Sequence, residues 1–489
     1  MTINTPKNNS MKRLLAIAIL MMGTVIMSCK KNIENLNSDI KNPADVPPGS
    51  LFATGVKTMI DNITTPNVNS GIFRLLAQQW TETTYTDESN YDLNTRNIPQ
   101  NFWNSMYTGV LKGYYESAKL VPLQDKTYIT EGAIKNQSAI LEIMTVYAYS
   151  VLVDTYGNIP YSEALNIDDV TPKYDDAKTI YDDLLSRLDA AIANLDNNEA
   201  GFGSSDILLG DNIDWWKKFA NSLKLRMGIT LADADATKAQ SVVESAIAGG
   251  LIENNDESVI FHYLAAPPNT NPVWVNLVQS GRKDFVAANT LVDQMKDLDD
   301  PRVPLYFTAD ANGNYNGGEY GASNNYATYS KPAEKITAPD FSATLIDYSE
   351  VQFLLAEAKE RGFNVTGTTA EHYNNAITAS ILSWGGTEAQ ATEYIAQTAV
   401  NYPTAAGTYK QKIGTQKWIA LYNRGLEAWT EWRRLDYPQL QAPVDALSDI
   451  PVRYTYPVQE QNLNVTNYTE GASAIGGDKV TTKLFWDKF

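Results

Sequence analysis

TQKWIALYNRGLEAWTEWRRLDYP, from Thr415 to Pro438, carries the strongest helical pattern in the chain. Trp418, Leu421, Tyr422, Gly425, Trp429 and Trp432 recur at helical spacing and so fall on one face. The pattern predicts one long helix, opened at Thr415 and closed by Pro438, whose ring cannot continue it. A face this rich in aromatic rings has to pack against other helices, and Gly425 leaves room for a neighbour to come close.

Moving outward, the same periodicity recurs. Tyr348 to Arg361 puts Val351, Leu354, Leu355 and Ala358 on one face and stops at Gly362. Thr368 and Glu371 form a capping box for its partner, whose stripe is Tyr373, Ala376, Ile377, Ile381 and Trp384. Earlier, Asn136 to Tyr156 carries Ile140, Ile143, Met144, Tyr147 and Val151, and Asp175 to Leu195 carries Ile180, Leu184, Leu188 and Ile192. Asp214 is placed to cap a helix with Trp216, Phe219, Ala220, Leu223 and Met227 on one stripe. The helix after it runs through Val242, Val243, Ala246 and Ile247 to Gly249-Gly250. Helices in successive pairs, with small residues such as Ala358 and Gly425 at close approaches, suggest divergent tetratricopeptide-like stacking without a clean repeat length.

Three irregular stretches interrupt the pairs. Thr81 to Gln100 is rich in Asn, Asp and Thr, Phe261 to Lys283 in Pro and Asn, and Thr308 to Lys331 in Gly, Asn and Tyr. Loops of this length inside a packed chain are usually functional or disordered.

The N-terminal stretch MKRLLAIAILMMGTVIMSCKK, Met11 to Lys31, has a positive start at Lys12 and Arg13 and an uncharged run from Leu14 to Met27. Cys29, the only cysteine, follows Ser28. This order predicts a lipoprotein signal peptide over 1–28 with Cys29 as the lipid attachment point; an ordinary secretory signal is the alternative. The run is 14 residues long, short of the roughly 18 needed to span a bilayer. Residues 29–50, with Pro43, Pro47 and Pro48, are expected to form a tether, and 51–489 a single domain. One cysteine rules out an intrachain disulfide. A formal charge of -18, made more negative by loss of Lys7, Lys12 and Arg13, argues against a nucleic-acid partner.

Catalytic and metal chemistry find little support. His262 and His372 are the only histidines, and His372 lies off its helix's apolar stripe, at an expected solvated position. With one cysteine there is no zinc constellation, no G-x-S-x-G elbow accompanies either histidine, and no Gly-rich phosphate loop occurs. No cofactor and no catalytic residue is therefore expected. The acid pairs Asp168-Asp169, Asp182-Asp183 and Asp299-Asp300 keep a glycosidase open as an alternative. Asp310, Asn312 and Asn314 start like a calcium loop, but Tyr315 and Gly321 stand where that loop needs Gly and Glu, so turn formation explains them better.

Several stretches together resemble the SusD/RagB family of outer-membrane nutrient-binding lipoproteins, in its second, SusD-like branch. They are DTYGNIPYSEAL from Asp154, GRKDFVAANTLVDQMKDLDDPR from Gly281, EVQFLLAEAKERG from Glu350 and YNNAITASILSWGG from Tyr373. QKWIALYNRGLEAWTEWRRLDYP from Gln416, IPVRYTYPVQEQN from Ile450 and the terminal LFWDKF complete the set. The resemblance implies an all-α fold in which tetratricopeptide-like helix pairs support a loop-rich ligand-binding half. It also implies a SusC-type TonB-dependent outer-membrane transporter as partner, with this chain as its lid, and a surface-exposed lipid anchor. Lys30-Lys31 after Cys29 departs from the acidic start that exported relatives often carry.

An oligosaccharide is the ligand class that the loop composition suits. A sugar ring offers a C–H face to an aromatic ring and hydroxyls to neighbouring polar groups. Trp274, Tyr315, Tyr320, Tyr326 and Tyr329 sit in loops among Asn residues and are the candidates, with Trp80 and Tyr85 behind them. Each could instead pin its loop. A surface glycoside hydrolase and a protein-binding helical scaffold remain the rival functions.

Overall fold

The Thr415–Pro438 stretch folds as two helices, Tyr409–Ala420 and Gly425–Leu435, and not as one. The first begins ahead of Thr415, where Thr408 caps it by accepting from the Gln411 amide. Between them Asn423 turns left-handed with φ of 67°, a conformation Asn tolerates better than most residues. Fully buried Gln79 spans the break: its Nε2 donates to the Leu421 carbonyl at 3.1 Å and its Oε1 accepts from the Asn423 amide at 3.1 Å. Arg74 Nε donates to Asn423 Oδ1 at 2.8 Å. A Cβ on Gly425 would lie 2.4 Å from the Arg74 backbone nitrogen, so here two backbones touch and only glycine fits. Asp436, left-handed at φ 59°, ends the second helix before Pro438 is reached.

A computed structural model of the chain describes Met1 and residues 46–489; Cys29, the rest of the signal segment and the tether up to residue 45 lie outside the described residues. The first described helix, Pro48–Thr64, takes in the last three residues of the expected tether, with Pro48 at its start, where a missing N–H costs nothing. Pro48–Phe489 forms one compact unit.

Its frame is helix pairs. Glu131–Tyr156 packs on Ala177–Asn194, Ile213–Thr230 on Ala236–Gly249, Tyr348–Glu360 on Thr369–Ser383, and Tyr409–Ala420 on Gly425–Leu435. The expected stripes are buried: Ile140, Ile143 and Tyr147; Ile180, Leu184 and Leu188; Trp216, Phe219 and Leu223; Val351 and Leu354. Each such side chain contributes roughly 1.5–3 kcal/mol by leaving water. Local chemistry starts the helices. Thr130 and Asp176 cap the first pair, the Thr368–Glu371 capping box is formed, and Gly362 at φ 80° follows Tyr348–Glu360. Asn212, and not Asp214, caps Ile213–Thr230; Asp214 sits in the first turn, where its charge still suits the helix dipole. Among the described residues Glu131–Tyr156 alone has the length and apolarity of a membrane span, and it is mostly buried as a core helix.

Buried ion pairs set how the pairs meet. Arg434, from Gly425–Leu435, reaches Glu357 and Glu431; Lys417 Nζ lies 2.8 Å from Glu431; Arg226 Nε lies 2.6 Å from Glu350. Such groups cost desolvation, and removing one partner would leave the other charge buried and unpaired.

The few strands form three antiparallel two-stranded ribbons among the described residues. Trp80–Glu82 pairs with Phe285–Ala287, joining the first irregular stretch to the segment between the other two. Val259–Phe261 pairs with Ala343–Ile346, and Ile159–Pro160 with Tyr174–Asp175. The Phe261–Lys283 stretch is less irregular than expected: Pro272–Trp274 is a helical turn capped by Asn271 and continued by Val275–Gln279. Thr308–Lys331 has no regular element, only isolated bridges such as Phe307 with Pro332 at its edge. The fold is thus all-α pairs carrying a loop-rich face, as expected.

Candidate ligand-binding clefts

The Trp80–Glu82/Phe285–Ala287 ribbon brings two distant loops together. Beyond it, the Thr83 amide donates to the Asp284 carbonyl at 2.9 Å and the Thr83 hydroxyl to the Lys283 carbonyl at 2.6 Å. The segment leading to Tyr85 is thereby zipped onto Arg282-Lys283-Asp284. Tyr85 stands 66 % exposed above a shallow recess that also involves Arg96, Arg282 and Asp284.

On the other side of Arg282 and Asp284 lies a cleft of about 310 Å3. Leu277, Val278 and Phe285 give it apolar lining, and Tyr326, Lys283, Lys331 and Glu334 line the rest. Tyr326 is half-buried, with Lys331 Nζ 5.2 Å and Lys283 Nζ 5.5 Å from its ring centroid. Arg282 pairs with Asp284, whereas neither lysine has a carboxylate within salt-bridge reach among the described residues. Burial raises the Tyr326 phenol, which stays a neutral donor near pH 7. Two tyrosines flanking a guanidinium–carboxylate pair offer ring faces and both senses of hydrogen bond to one ligand.

The expected binding residues are thus divided. Tyr326 and Tyr85 face this region. Trp274 is half-buried on its helical turn, and it is the next turn, at Leu277 and Val278, that lines the cleft. Tyr315 packs half-buried against the core, and Tyr329 is half-buried outside both lined surfaces. Tyr320 is a core residue at 7 % exposure, its hydroxyl donating to the Leu75 carbonyl at 2.7 Å. Trp80 is fully buried beneath Arg74, and its indole N–H donates to the Tyr422 hydroxyl at 3.1 Å. Tyr320 turns inward next to exposed Glu319, and Trp80 belongs to a strand buried along its whole length, which composition alone does not reveal. Arg282, Lys283, Asp284 and Lys331 escaped the sequence reading, although GRKDF is one of the stretches that carry the family resemblance.

A second cleft of about 460 Å3 opens beside Trp384, where the Thr369–Ser383 helix ends. The stripe reading put Trp384 in the core; it is half-buried instead, because it follows the last helical residue and its ring is only partly covered. A cavity of about 30 Å3 at Asp154, Arg226 and Glu350 is large enough for water only.

The other chemical candidates are engaged in structure. Asp300 is buried against Arg302, with Oδ2 2.6 Å from Nη2, and Asp182 lies 2.6 Å from Lys238. Asp183 accepts from the Tyr161 hydroxyl, and Asp169 accepts from the Thr171 amide at 3.0 Å. Asp310 accepts from the Asn312 and Asn314 amides and from the Asn316 side chain, closing a turn. His372 is not the solvated position expected: it is half-buried, its ring nitrogens 2.8 Å from Gln352 Oε1 and from the Thr366 carbonyl. His262 Nδ1 meets Ser342 Oγ at 3.0 Å.

Comparison with known proteins gives these clefts a context. Residues 40–457 match the SusD-like family profile, described as starch-binding and associating with the outer membrane. A solved chitin-binding protein is similar in structure, with a TM-score of 0.79 and 26% identity over 90% of this chain and 100% of that one. A chitin-binding SusD homologue from Flavobacterium johnsoniae gives a TM-score of 0.77 and 25% identity over 89% and 98%. A SusD homologue from Bacteroides uniformis gives 0.76 and 25% over 90% and 100%. No curated protein matches the sequence.

Proposed function

We propose a function from one premise: this chain belongs to the SusD-like family, starch-binding and associating with the outer membrane. It captures an oligosaccharide at the cell surface, without cleaving it, and passes it as a lid to a SusC-type TonB-dependent transporter. Cys29 carries the lipid that keeps residues 51–489, acting as a single domain, at the membrane, so that even a weak lid contact is used at high effective concentration.

The observation that carries this reading is the pairing of Tyr85 and Tyr326 on either side of Arg282 and Asp284. Stacking surfaces next to a paired cation and carboxylate suit a sugar, and they suit no phosphate-binding or nucleic-acid role on so acidic a chain. The two chitin-binding relatives favour a neutral glycan.

Titration calorimetry of the purified chain with malto- and chito-oligosaccharides tests the proposal. Heat of binding that Tyr326→Ala diminishes supports it; no binding to any glycan, or release of reducing ends on incubation, overturns it. For the transporter, co-purification with a SusC-type protein from outer membranes of a host that produces both is the corresponding measurement.

A further inference from the structure

The Trp384 cleft is larger than the one at Tyr326, and its walls are differently built. Trp384 is braced by Tyr306, Tyr422 and Phe341, with ring centroids at 4.6, 5.7 and 6.1 Å. Lys335, itself exposed, lies over the indole with Nζ 4.6 Å from its centroid and donates to the Trp384 carbonyl at 2.5 Å. A flexible exposed lysine is a cover that a ligand can displace.

At the deep end lie Arg424, Asp347 and Glu427. Arg424 is 8 % exposed, and its Nη2 is spent on Glu350 at 2.5 Å and the Leu345 carbonyl at 2.9 Å. Its Nε and Nη1 have no hydrogen-bond partner, and Nη1 stands 3.2 Å from Asp347 Oδ2 in an ionic contact only. Buried donors are nearly always satisfied, so a buried guanidinium whose Nε is unbonded and whose Nη1 has only an ionic contact has room for an acceptor from outside. The Arg424 charge is already balanced by Glu350 and Asp347, so the group that satisfies it need not be an anion. An aromatic wall, idle donors at depth, and carboxylates at Asp347 and Asp340 fit a ring that has one apolar face and hydroxyls around its edge.

We infer that the Trp384 cleft is a second saccharide-binding site, taking a neutral pyranose residue with its C–H face on Trp384 and its oxygens toward Arg424. This rests on the glycan-binding reading above and extends it. The 3-10 turn Glu334–Thr337 separates the two clefts: Glu334 and Thr337 line the Tyr326 cleft, and Lys335, with Ala338 next to the turn, lines the Trp384 cleft. One glycan chain can therefore reach over a single turn and engage both, gaining affinity through the link between its residues.

Calorimetry with maltose and chitobiose, and then with the corresponding hexasaccharides, tests this. The wild-type chain should bind two equivalents of disaccharide but one of hexasaccharide, the latter about tenfold tighter or more. Tyr326→Ala and Trp384→Ala should each leave one equivalent of disaccharide and lose the hexasaccharide gain. Because Trp384 also braces Tyr306 and Tyr422, Ala338→Trp, which fills the cleft mouth and removes no packing, should reproduce the Trp384→Ala result. One equivalent of disaccharide in the wild type, with Trp384→Ala and Ala338→Trp binding as wild type does, overturns the second site and leaves the Tyr326 reading standing. Absence of glycan binding by the wild type overturns both.

Discussion

Gln79 grips Asn423 across a distance of more than three hundred residues in sequence, its side-chain oxygen accepting the Asn423 amide at 3.1 Å. The same side chain holds the Leu421 carbonyl from its nitrogen end at 3.1 Å. One amide thus serves the two backbone groups that a broken helix exposes. Gln79→Ala should leave both unpaired at a largely buried site, costing roughly 2–4 kcal/mol. A urea titration would read this as a lower midpoint at unchanged slope, and a loss too small to measure would show that water replaces the amide there.

Trp80 and Tyr326 should answer substitution in opposite ways. Trp80→Ala empties a fully buried site and should cost about 3–5 kcal/mol, with glycan affinity unchanged in whatever fraction remains folded. Tyr85→Ala and Tyr326→Ala should leave the melting temperature within a degree or two, since both rings are at least partly exposed, and weaken binding by about tenfold, roughly 1.4 kcal/mol. Melting curves beside titrations on the same preparations compare them; a Trp80→Ala chain that is fully stable but does not bind would reverse the assignment.

Acid should unfold the chain steeply. Burial alone would raise the Glu350 carboxyl, yet Arg226 and Arg424 hold it down at about 2. Arg434 and Lys417 do the same for Glu431, also at about 2. Each folded-state value lies below the ordinary glutamate value of 4.5, so the unfolded chain binds more protons in between. Their contribution is present above about pH 4.5 and is lost as pH falls toward 2. Melting temperatures across that window should drop sharply, and Glu350→Gln, less stable at pH 7, should show a shallower fall.

Glu82 should act in the other direction. Burial, then the neighbouring Glu88, push its carboxyl up to about 9, although the Ser89 amide and hydroxyl bond it. The folded chain therefore binds the extra proton between about 4.5 and 9, and this contribution to stability is lost as pH rises through that range. Glu82→Gln should flatten the decline in melting temperature between neutral and mildly alkaline pH; an unchanged slope would place its cause elsewhere.

Cys29→Ala should release the chain from the membrane while leaving glycan affinity in solution unchanged. Fractionation of cells that lack the transporter reads this directly, and a variant still held in the outer-membrane fraction would remove the lipid from the account.

Much of the frame was written locally. Ile140, Tyr147, Trp216 and Leu223 are buried where their spacing puts them, and Thr368 with Glu371 makes the cap that its pattern announces. Periodicity and capping depend on neighbours within a turn or two, so one sequence suffices to see them. The composition of the loops marked seven aromatic residues as candidates, and of these Tyr85 and Tyr326 line clefts, whereas Tyr320 and Trp80 turn inward.

Paired helices, a loop-rich face and the family can all be read along the chain, because each is carried by local pattern and motif order. The break of Thr415–Pro438 at Asn423 emerges from packing, since the partners that make it tolerable, Arg74 and Gln79, come from the other end of the chain. Packing likewise leaves Trp384 half-open in a cleft and brings Arg282, Asp284 and Lys331 to Tyr85 and Tyr326. Which side of a segment is left uncovered depends on what packs against it, and no spacing along the chain records that.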